Sequence, residues 1–194
     1  MALVRSIVLV DGENLTMRYQ ALLSAGRKPK ERVAHKQDVY VWNTDLHERA
    51  IIDTDVLRIN YYTSMVGDDD LIKETESEIA RLKYYCSGDL YGYCQLLPRI
   101  YKKQKKSTKS RLVDINIVID AMRHAYSDAV EVVYLFSGDG DFAHLVEEIA
   151  RSGKKVCLAA FSSGLEPKLA YKVDRFILLD DFYFEPVSTE GSSA

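Results

Sequence analysis

The sequence predicts an α/β protein with a three-layer α/β/α architecture around a mainly parallel central sheet. Short apolar runs typical of buried parallel strands recur along the 194 residues, and amphipathic segments typical of helices separate them. Strands that alternate with helices imply right-handed crossovers, which leave helices on both faces of a parallel sheet. No internal repeat divides the chain, so we predict one domain over residues 1–184 and a flexible tail over residues 185–194.

The first elements alternate in the expected way. Residues 6–10 are almost wholly apolar and predict a buried strand. Residues 15–25 predict a helix that Gly26 ends, because glycine readily takes the left-handed conformation found at helix ends. Residues 28–32 predict an exposed loop, and loosely spaced apolar positions predict a second helix over residues 38–51.

The middle of the chain is harder to interpret. Residues 55–63 are rich in strand formers and predict a strand, and residues 68–85 predict a charged amphipathic helix. Residues 91–101 are ambiguous between strand and loop. If they form a strand, Pro98 favours an edge position, because proline has no N–H to donate to a neighbouring strand.

The C-terminal elements have clearer patterns. A wide apolar face predicts a helix over residues 113–125, and an apolar run predicts a strand over residues 131–136. Apolar residues spaced i, i+3, i+4, i+7 predict a helix over residues 141–151, ended by Gly153. The last predicted elements are strands at 156–161 and 176–179, with a short helix at 165–171 between them.

Composition excludes several classes of protein. A net charge of −3 gives no general attraction to nucleic acid, so such binding would need a local basic patch. The first apolar run stops at Asp11, far short of the roughly 20 residues that a membrane span requires, so we expect no membrane contact. The three cysteines are odd in number and widely spaced, which argues against disulfides or a zinc site and favours a cytoplasmic location.

Acidic residues follow the predicted strands or begin the helices. Asp11 comes directly after the first strand, Asp114 lies near the start of a helix, and Asp139 and Asp141 occupy a turn after another strand. In an open α/β sheet these positions converge at the carboxyl ends of the strands. Each aspartate alone is explained as a helix cap worth about 1 kcal/mol. Capping does not account for Asp139 and Asp141 together with Asp11.

Crowded carboxylates favour a bound cation, and Mg²⁺ or Mn²⁺ suits oxygen ligands. Such an ion supports phosphodiester hydrolysis without a histidine. Asn14, within one turn of Asp11, could orient that carboxylate or a water molecule, and Ser137 could bind a neighbouring carboxylate or a phosphate. The four histidines are scattered and are expected to be surface or packing residues.

The chain carries several recognisable stretches: residues 7–15, with Val-Asp-Gly-Glu-Asn, 111–120, 137–146, with Ser-Gly-Asp-Gly-Asp-Phe, 153–156, Gly-Lys-Lys-Val, and the closing segments 163–165 and 173–176. With these stretches the chain resembles the NYN domain family (LabA-like) within the PIN-like nuclease superfamily. The resemblance implies a three-layer fold and a divalent-metal-dependent endoribonuclease that acts on RNA. It assigns the metal site to Asp11, Asp114, Asp139 and Asp141, with Asn14 as a further catalytic residue.

The sequence departs from the family at two places. Arg111 and Leu112 stand where the family often has Lys-Gly, and the segment around residues 84–111 is longer than a minimal member needs, which predicts an embellishment. Asp120 matches a recurrent family acid but lies on a different helical face from Asp114, so we predict a structural role for it, paired with Arg123 or a neighbour.

A basic run precedes Asp114 and is a candidate for binding substrate phosphates, although a solvated loop is the alternative. Its members are Lys102, Lys103, Lys105, Lys106, Lys109 and Arg111. Nearby tyrosines could stack on RNA bases, but packing within a subdomain or a homo-oligomer contact is the favoured interpretation. They are Tyr61, Tyr62, Tyr84, Tyr85, Tyr91, Tyr93 and Tyr101.

Two other functions compete with the nuclease. One is a non-catalytic RNA-binding or regulatory module, since fold alone does not establish activity. The other is a phosphatase of the haloacid-dehalogenase type, whose last acidic motif resembles Ser-Gly-Asp-Gly-Asp. That phosphatase requires Asp-x-Asp after the first strand, and this chain has Asp11-Gly12-Glu13 there.

Overall fold

The computed structural model describes residues 4–46, 54–85, 93–104 and 111–186. The strands are β1 (Val4–Asp11), β2 (Val33–Lys36), β3 (Tyr40–Asn43), β4 (Thr54–Met65), β5 (Lys83–Tyr85), β6 (Tyr93–Lys102), β7 (Val132–Phe136), β8 (Lys155–Ala160) and β9 (Arg175–Leu178). The helices are α1 (Gly12–Ser24), α2 (Asp69–Arg81), α3 (Arg111–Ala125), α4 (Ala143–Arg151), α5 (Pro167–Ala170) and α6 (Asp180–Tyr183), with one 3₁₀ turn at Gly140–Phe142.

Within the described residues, seven strands form one sheet in the order β5-β6-β4-β1-β7-β8-β9. All neighbours are parallel except β5, which pairs antiparallel with β6 at one edge. From β1 the chain builds outward through β4 to β6, then returns to place β7 on the other side of β1. This reversal creates a topological switch point at the carboxyl ends of β1 and β7, where open α/β sheets form a crevice.

Two apolar clusters fill the space between the sheet and its helices. Val8 and Val10 pack with α1, α6 and the β2–β3 hairpin on one face, whereas Ile7 and Leu9 pack with α3, α4 and α5 on the other. Alternate residues of a strand point to opposite faces, so β1 contributes to both clusters. The predicted three-layer α/β/α fold with a mainly parallel sheet is therefore confirmed.

The helix predicted over residues 38–51 is wrong in its described part. Residues 33–43 form an antiparallel hairpin, β2 and β3, with Lys36 paired to Tyr40. Asp38 occupies its turn with a φ of 61°, a conformation that aspartate tolerates better than most residues. The run Val39 to Trp42 consists of β-branched and aromatic residues, which favour a strand where one face is buried.

The helix predicted over residues 68–85 is too long. α2 ends at Arg81, Leu82 takes an extended conformation, and the next three residues form β5. The Lys-Tyr-Tyr sequence of β5 favours a strand, and the edge of β6 offers it partners. From residue 93 onward, the ambiguous segment 91–101 belongs to β6, which continues to Lys102, and Pro98 lies beyond the three β6 residues that pair with β5.

The remaining predicted elements match their observed counterparts to within a few residues, although the helix predicted from residue 141 begins as a 3₁₀ turn. Parts of the predicted embellishment at 86–92 and 105–110, and the predicted tail from residue 187, lie outside the described residues. Across the described residues, no helix combines the length and apolarity needed to cross a bilayer.

Candidate functional site

Asp11 occupies the centre of the switch point. It is the last residue of β1 and the N-cap of α1, and its Oδ1 accepts a hydrogen bond from Asn14 N over 3.0 Å. The residue is fully buried. Gly12 allows α1 to begin this close to β4, because a Cβ at position 12 would lie 2.3 Å from Tyr61 Cε1 and 2.8 Å from Tyr62 O. The first helix is therefore anchored tightly beside the Asp11 carboxylate.

Ser137 connects two of the predicted site acids. Its buried hydroxyl donates to Asp11 Oδ2 over 2.9 Å and accepts from Asp139 N over 3.2 Å. Asp139 Oδ1 in turn accepts from Asp141 N over 3.1 Å and caps the 3₁₀ turn. The carboxylate after β1 and the acidic turn after β7 are thus joined through one hydroxyl. Asp139, not Asp141, is the helix cap, and the Asp141 residue is exposed.

Asn14 has a more structural position than the sequence predicts. Its Oδ1 accepts from Gly138 N over 3.1 Å, which ties α1 to the turn after β7. Gly138 itself lies against the segment that follows β8, since a Cβ there would be 3.3 Å from Leu165 Cα. Three stretches of chain, after β1, β7 and β8, therefore meet at this point.

Asp114 lies in the first turn of α3, and its Oδ1 is closed to solvent. The adjacent Val113, and Ile117 one turn later, pack on the same face of the sheet as Ile7 and Leu9 of β1. By strand alternation Asp11 belongs to that face too. Asp120, by contrast, forms the predicted ion pair with Arg123 and accepts a hydrogen bond from the Tyr62 hydroxyl.

Two residues of the basic run are already engaged. Lys103 Nζ lies 3.0 Å from Glu13 Oε1 in an ion pair whose side chains are 12% and 10% exposed, and the Ser64 hydroxyl also donates to Glu13. Lys102 forms an exposed pair with Asp69. Arg111 is exposed at the start of α3. Phosphate contact by Lys102, Lys103 and Arg111 stays a prediction, and Lys105, Lys106 and Lys109 lie outside the described residues.

Two of the candidate tyrosines, Tyr61 and Tyr62, and one histidine, His35, serve packing. Tyr61 is buried, its hydroxyl bonds the backbone of Val41, and burial raises its pKa. Tyr62 is likewise buried, so the packing interpretation is confirmed for this pair. His35 contacts the Tyr19 ring edge at 4.9 Å between centroids, whereas His144 is exposed.

Sequence reasoning missed Arg18 and Glu166, which lie beside the acidic turn. A Cβ at Gly140 would be 3.0 Å from Glu166 Cγ, and one at Gly164 would be 2.1 Å from Arg18 Cζ. Arg18 follows Asn14 by four residues on α1, so helical spacing could have placed it on the same face. The sequence carried no comparable signal for Glu166, because only the fold brings residues 164–166 over the turn.

A family model for the NYN domain matches residues 5–180. The chain belongs to the NYN domain family. NYN domains have a PIN-like nuclease fold, and the family consists generally of ribonucleases, so RNA is the class of partner to consider.

A crystal structure of a protein of unknown function from Vibrio parahaemolyticus is similar to this NYN domain. The TM-score is 0.61 at 22% sequence identity, over 94% of this chain and 97% of the other. At that identity the likeness shows the fold alone. No curated protein matches the chain significantly.

NYN and PIN-like nucleases usually use divalent metals. Among the residues that the structure describes, no three His, Cys, Asp or Glu side chains converge closely enough to hold one ion. The donor set nevertheless fits a hard cation, because Mg²⁺ is commonly bound by only one or two carboxylates and completes its shell with water and substrate phosphate. Ligation by Asp11, Asp114, Asp139 and Asp141 stays a prediction.

Proposed function

We propose that this NYN domain is a divalent-metal-dependent endoribonuclease that hydrolyses RNA phosphodiester bonds at the switch point of its sheet. The observation that carries the proposal is the hydrogen-bonded chain from Asp11 through Ser137 to Asp139. It joins two acids of a family that generally cleaves RNA, at the edge where α/β proteins bind ligands. The chemistry that Mg²⁺ or Mn²⁺ supplies when bound is activation of water and stabilisation of charge on the phosphate.

The chain's own residues prepare this site by fixing its acids. Asn14 N and the Ser137 hydroxyl each bond one oxygen of Asp11, so its carboxylate has a defined orientation. Asn14 Oδ1 holds the turn that carries Asp139. Fixed ligands reduce the reorganisation needed when substrate arrives.

To test the proposal, purified protein is incubated with single-stranded RNA in Mn²⁺ and in Mg²⁺. Cleavage is expected, and EDTA or Asp139→Asn should abolish it. The Asn side chain retains the capping oxygen, so the variant should fold with a free energy of unfolding within about 1 kcal/mol of the parent. Asp128→Asn, in an exposed loop, is the matched control and should cleave normally. Cleavage that survives both EDTA and Asp139→Asn would reject the proposal.

A non-catalytic RNA-binding module is the second candidate, and one observation favours it. Among the described residues no three His, Cys, Asp or Glu side chains converge, and this lack of convergence is what a vestigial metal site would show. This candidate predicts RNA affinity that falls with salt and no products under any divalent metal. The phosphatase alternative is not favoured, because Glu13, where its second aspartate would stand, is held by Lys103 and Ser64.

A further inference from the structure

Arg18 lies at the rim of the candidate site on α1. It follows Asn14 by one helical turn, and Asn14 is bonded to the turn after β7. The guanidinium packs on Gly164, where a Cβ would come within 2.1 Å of Cζ, 2.2 Å of Nη1 and 2.4 Å of Nε. Gly164 has a φ of 72°, so both its conformation and its lack of a side chain make room for Arg18.

The same segment connects Arg18 to the acidic turn. A Cβ at Gly138 would lie 3.4 Å from Gly164 O, and Glu166 N donates to Gly138 O over 3.1 Å. Arg18 and the turn that carries Asp139 therefore lie against the same three-residue stretch, 164–166. The Arg18 guanidinium thus belongs to the switch-point crevice and not to a remote surface.

The guanidinium has no partner to explain its position. Within the described residues Arg18 forms no hydrogen bond and no ion pair, and its Nε is closed to solvent. Arg27, another half-buried arginine, just after α1, has Asp180 at 3.6 Å and the Phe184 ring as partners. A partly desolvated charge without a partner lowers stability, so the fold alone does not account for Arg18.

We propose that Arg18 binds a backbone phosphate of the RNA next to the acidic site. A guanidinium presents a planar fork of donors that matches two phosphate oxygens. Packing on Gly164 fixes this fork before substrate arrives, which reduces the entropy lost on binding. The positive charge of Arg18 would also offset the electrostatic repulsion between the neighbouring acids and the phosphate. The inference rests on the proposed function only in taking RNA as the substrate.

The test measures binding separately from cleavage. A fluorescent single-stranded oligoribonucleotide is titrated with protein in EDTA at several KCl concentrations, and cleavage in Mn²⁺ is followed in parallel. Arg18→Gln should raise the Kd roughly tenfold, as expected for one lost charged hydrogen bond. It should also reduce the salt slope of log K by about 0.7, the value for one phosphate contact with a single strand.

Two comparison variants and a folding check make this result specific. Arg18→Lys should keep the salt slope of the parent but bind more weakly, because lysine keeps the charge and loses the fork. Arg123→Gln, whose parent side chain is 74% exposed and distant along α3, should change neither quantity. Thermal melting should show that all three variants are folded.

The failures of the two proposals are distinguishable. If Arg18→Gln binds RNA with the parent's Kd and salt slope, the assignment of Arg18 is overturned even where the parent cleaves RNA. If binding depends on Arg18 but no RNA is cleaved, the assignment stands and the hydrolytic function fails.

Discussion

At the scale of single residues, one hydroxyl, that of Ser137, links the Asp11 carboxylate to the turn that carries Asp139. Asp11, Ser137 and Asp139 were predicted as neighbours from their positions after strands, and they are linked in the structure. Asn14 was expected to orient Asp11 or a water, and its backbone N–H does bond Asp11 Oδ1, but its side-chain Oδ1 accepts from Gly138 N, a contact that was not expected. Such a contact forms only because the fold brings two loops together, so the spacing of residues along one helix cannot predict it.

Ser137→Ala tests the link between the two acidic segments. The variant loses a hydrogen bond to the buried Asp11 carboxylate, so we expect the free energy of unfolding to fall by about 1.5–3 kcal/mol. If Asp11 ligates the metal as proposed, loss of the hydroxyl that orients it is expected to lower RNA cleavage by roughly 10–100-fold. Urea unfolding and initial cleavage rates measure the two effects.

Ser127→Ala is the matched control, because the Ser127 hydroxyl also donates once and accepts once but lies near the end of α3. It should lose stability by about 1 kcal/mol without loss of specific activity. Unchanged cleavage in folded Ser137→Ala would mean that this hydroxyl does not position Asp11 for catalysis.

At the scale of elements, the strands with continuous apolar runs were predictable and the hairpin was not. β1 and β7 are buried on both faces, so burial dictates their composition. The hairpin of β2 and β3 lies outside the main sheet, and its short sequence is compatible with a helix. Packing of Val41 and Trp42 against the core decides the outcome, as tertiary contacts commonly override weak local preference.

His35 on β2 should make the stability of the hairpin depend on pH. Burial lowers the pKa of His35 below its ordinary value, and its Nε2 is closed to solvent with no hydrogen bond among the described residues. The unfolded chain therefore binds a proton more readily than the folded one. The contribution of neutral His35 to the free energy of unfolding is fully present above the unfolded pKa of about 6.5. It is lost as the pH falls below that value toward the folded pKa.

We therefore expect His35→Phe to lose less stability than the parent between neutral and mildly acidic pH, as measured by urea unfolding. Phenylalanine keeps an aromatic contact with Tyr19 and cannot be protonated. Part of the dependence will remain, because burial also lowers the pKa of His124. Exposed His144→Gln should behave like the parent, and an equally steep loss in His35→Phe would show that His35 does not contribute.

At the scale of the whole molecule, strand order brings the acidic segments after β1 and β7 together. The chain places β1 between β4 and β7, so Asp11 and Ser137 adjoin although 126 residues separate them. The sequence predicted parallel strands and hence a shared edge, but it did not specify this order. It also could not show that Lys103, at the end of β6, reaches Glu13 beside Asp11.

The Glu13–Lys103 pair joins three elements around the site. Lys103 N also donates to Met65 O at the end of β4, and Ser64 donates to Glu13 at the start of α1. Because both charged side chains are nearly buried, removing one partner should be costly. We expect Lys103→Met to lower the free energy of unfolding by about 3 kcal/mol, and the double variant Glu13→Gln, Lys103→Met to lower it less.

The neighbouring Lys102 provides the control for this prediction. Its ion pair with Asp69 has side chains that are 58% and 82% exposed, so Lys102→Met should change stability by no more than about 1 kcal/mol. Chemical unfolding at low and high salt measures the stability that each variant loses relative to the parent. Because salt screens exposed charges, only the loss in Lys102→Met should become smaller at high salt. Equal losses for Lys102→Met and Lys103→Met would mean that burial does not strengthen the Glu13–Lys103 pair, and that the end of β6 is held by its backbone contacts alone.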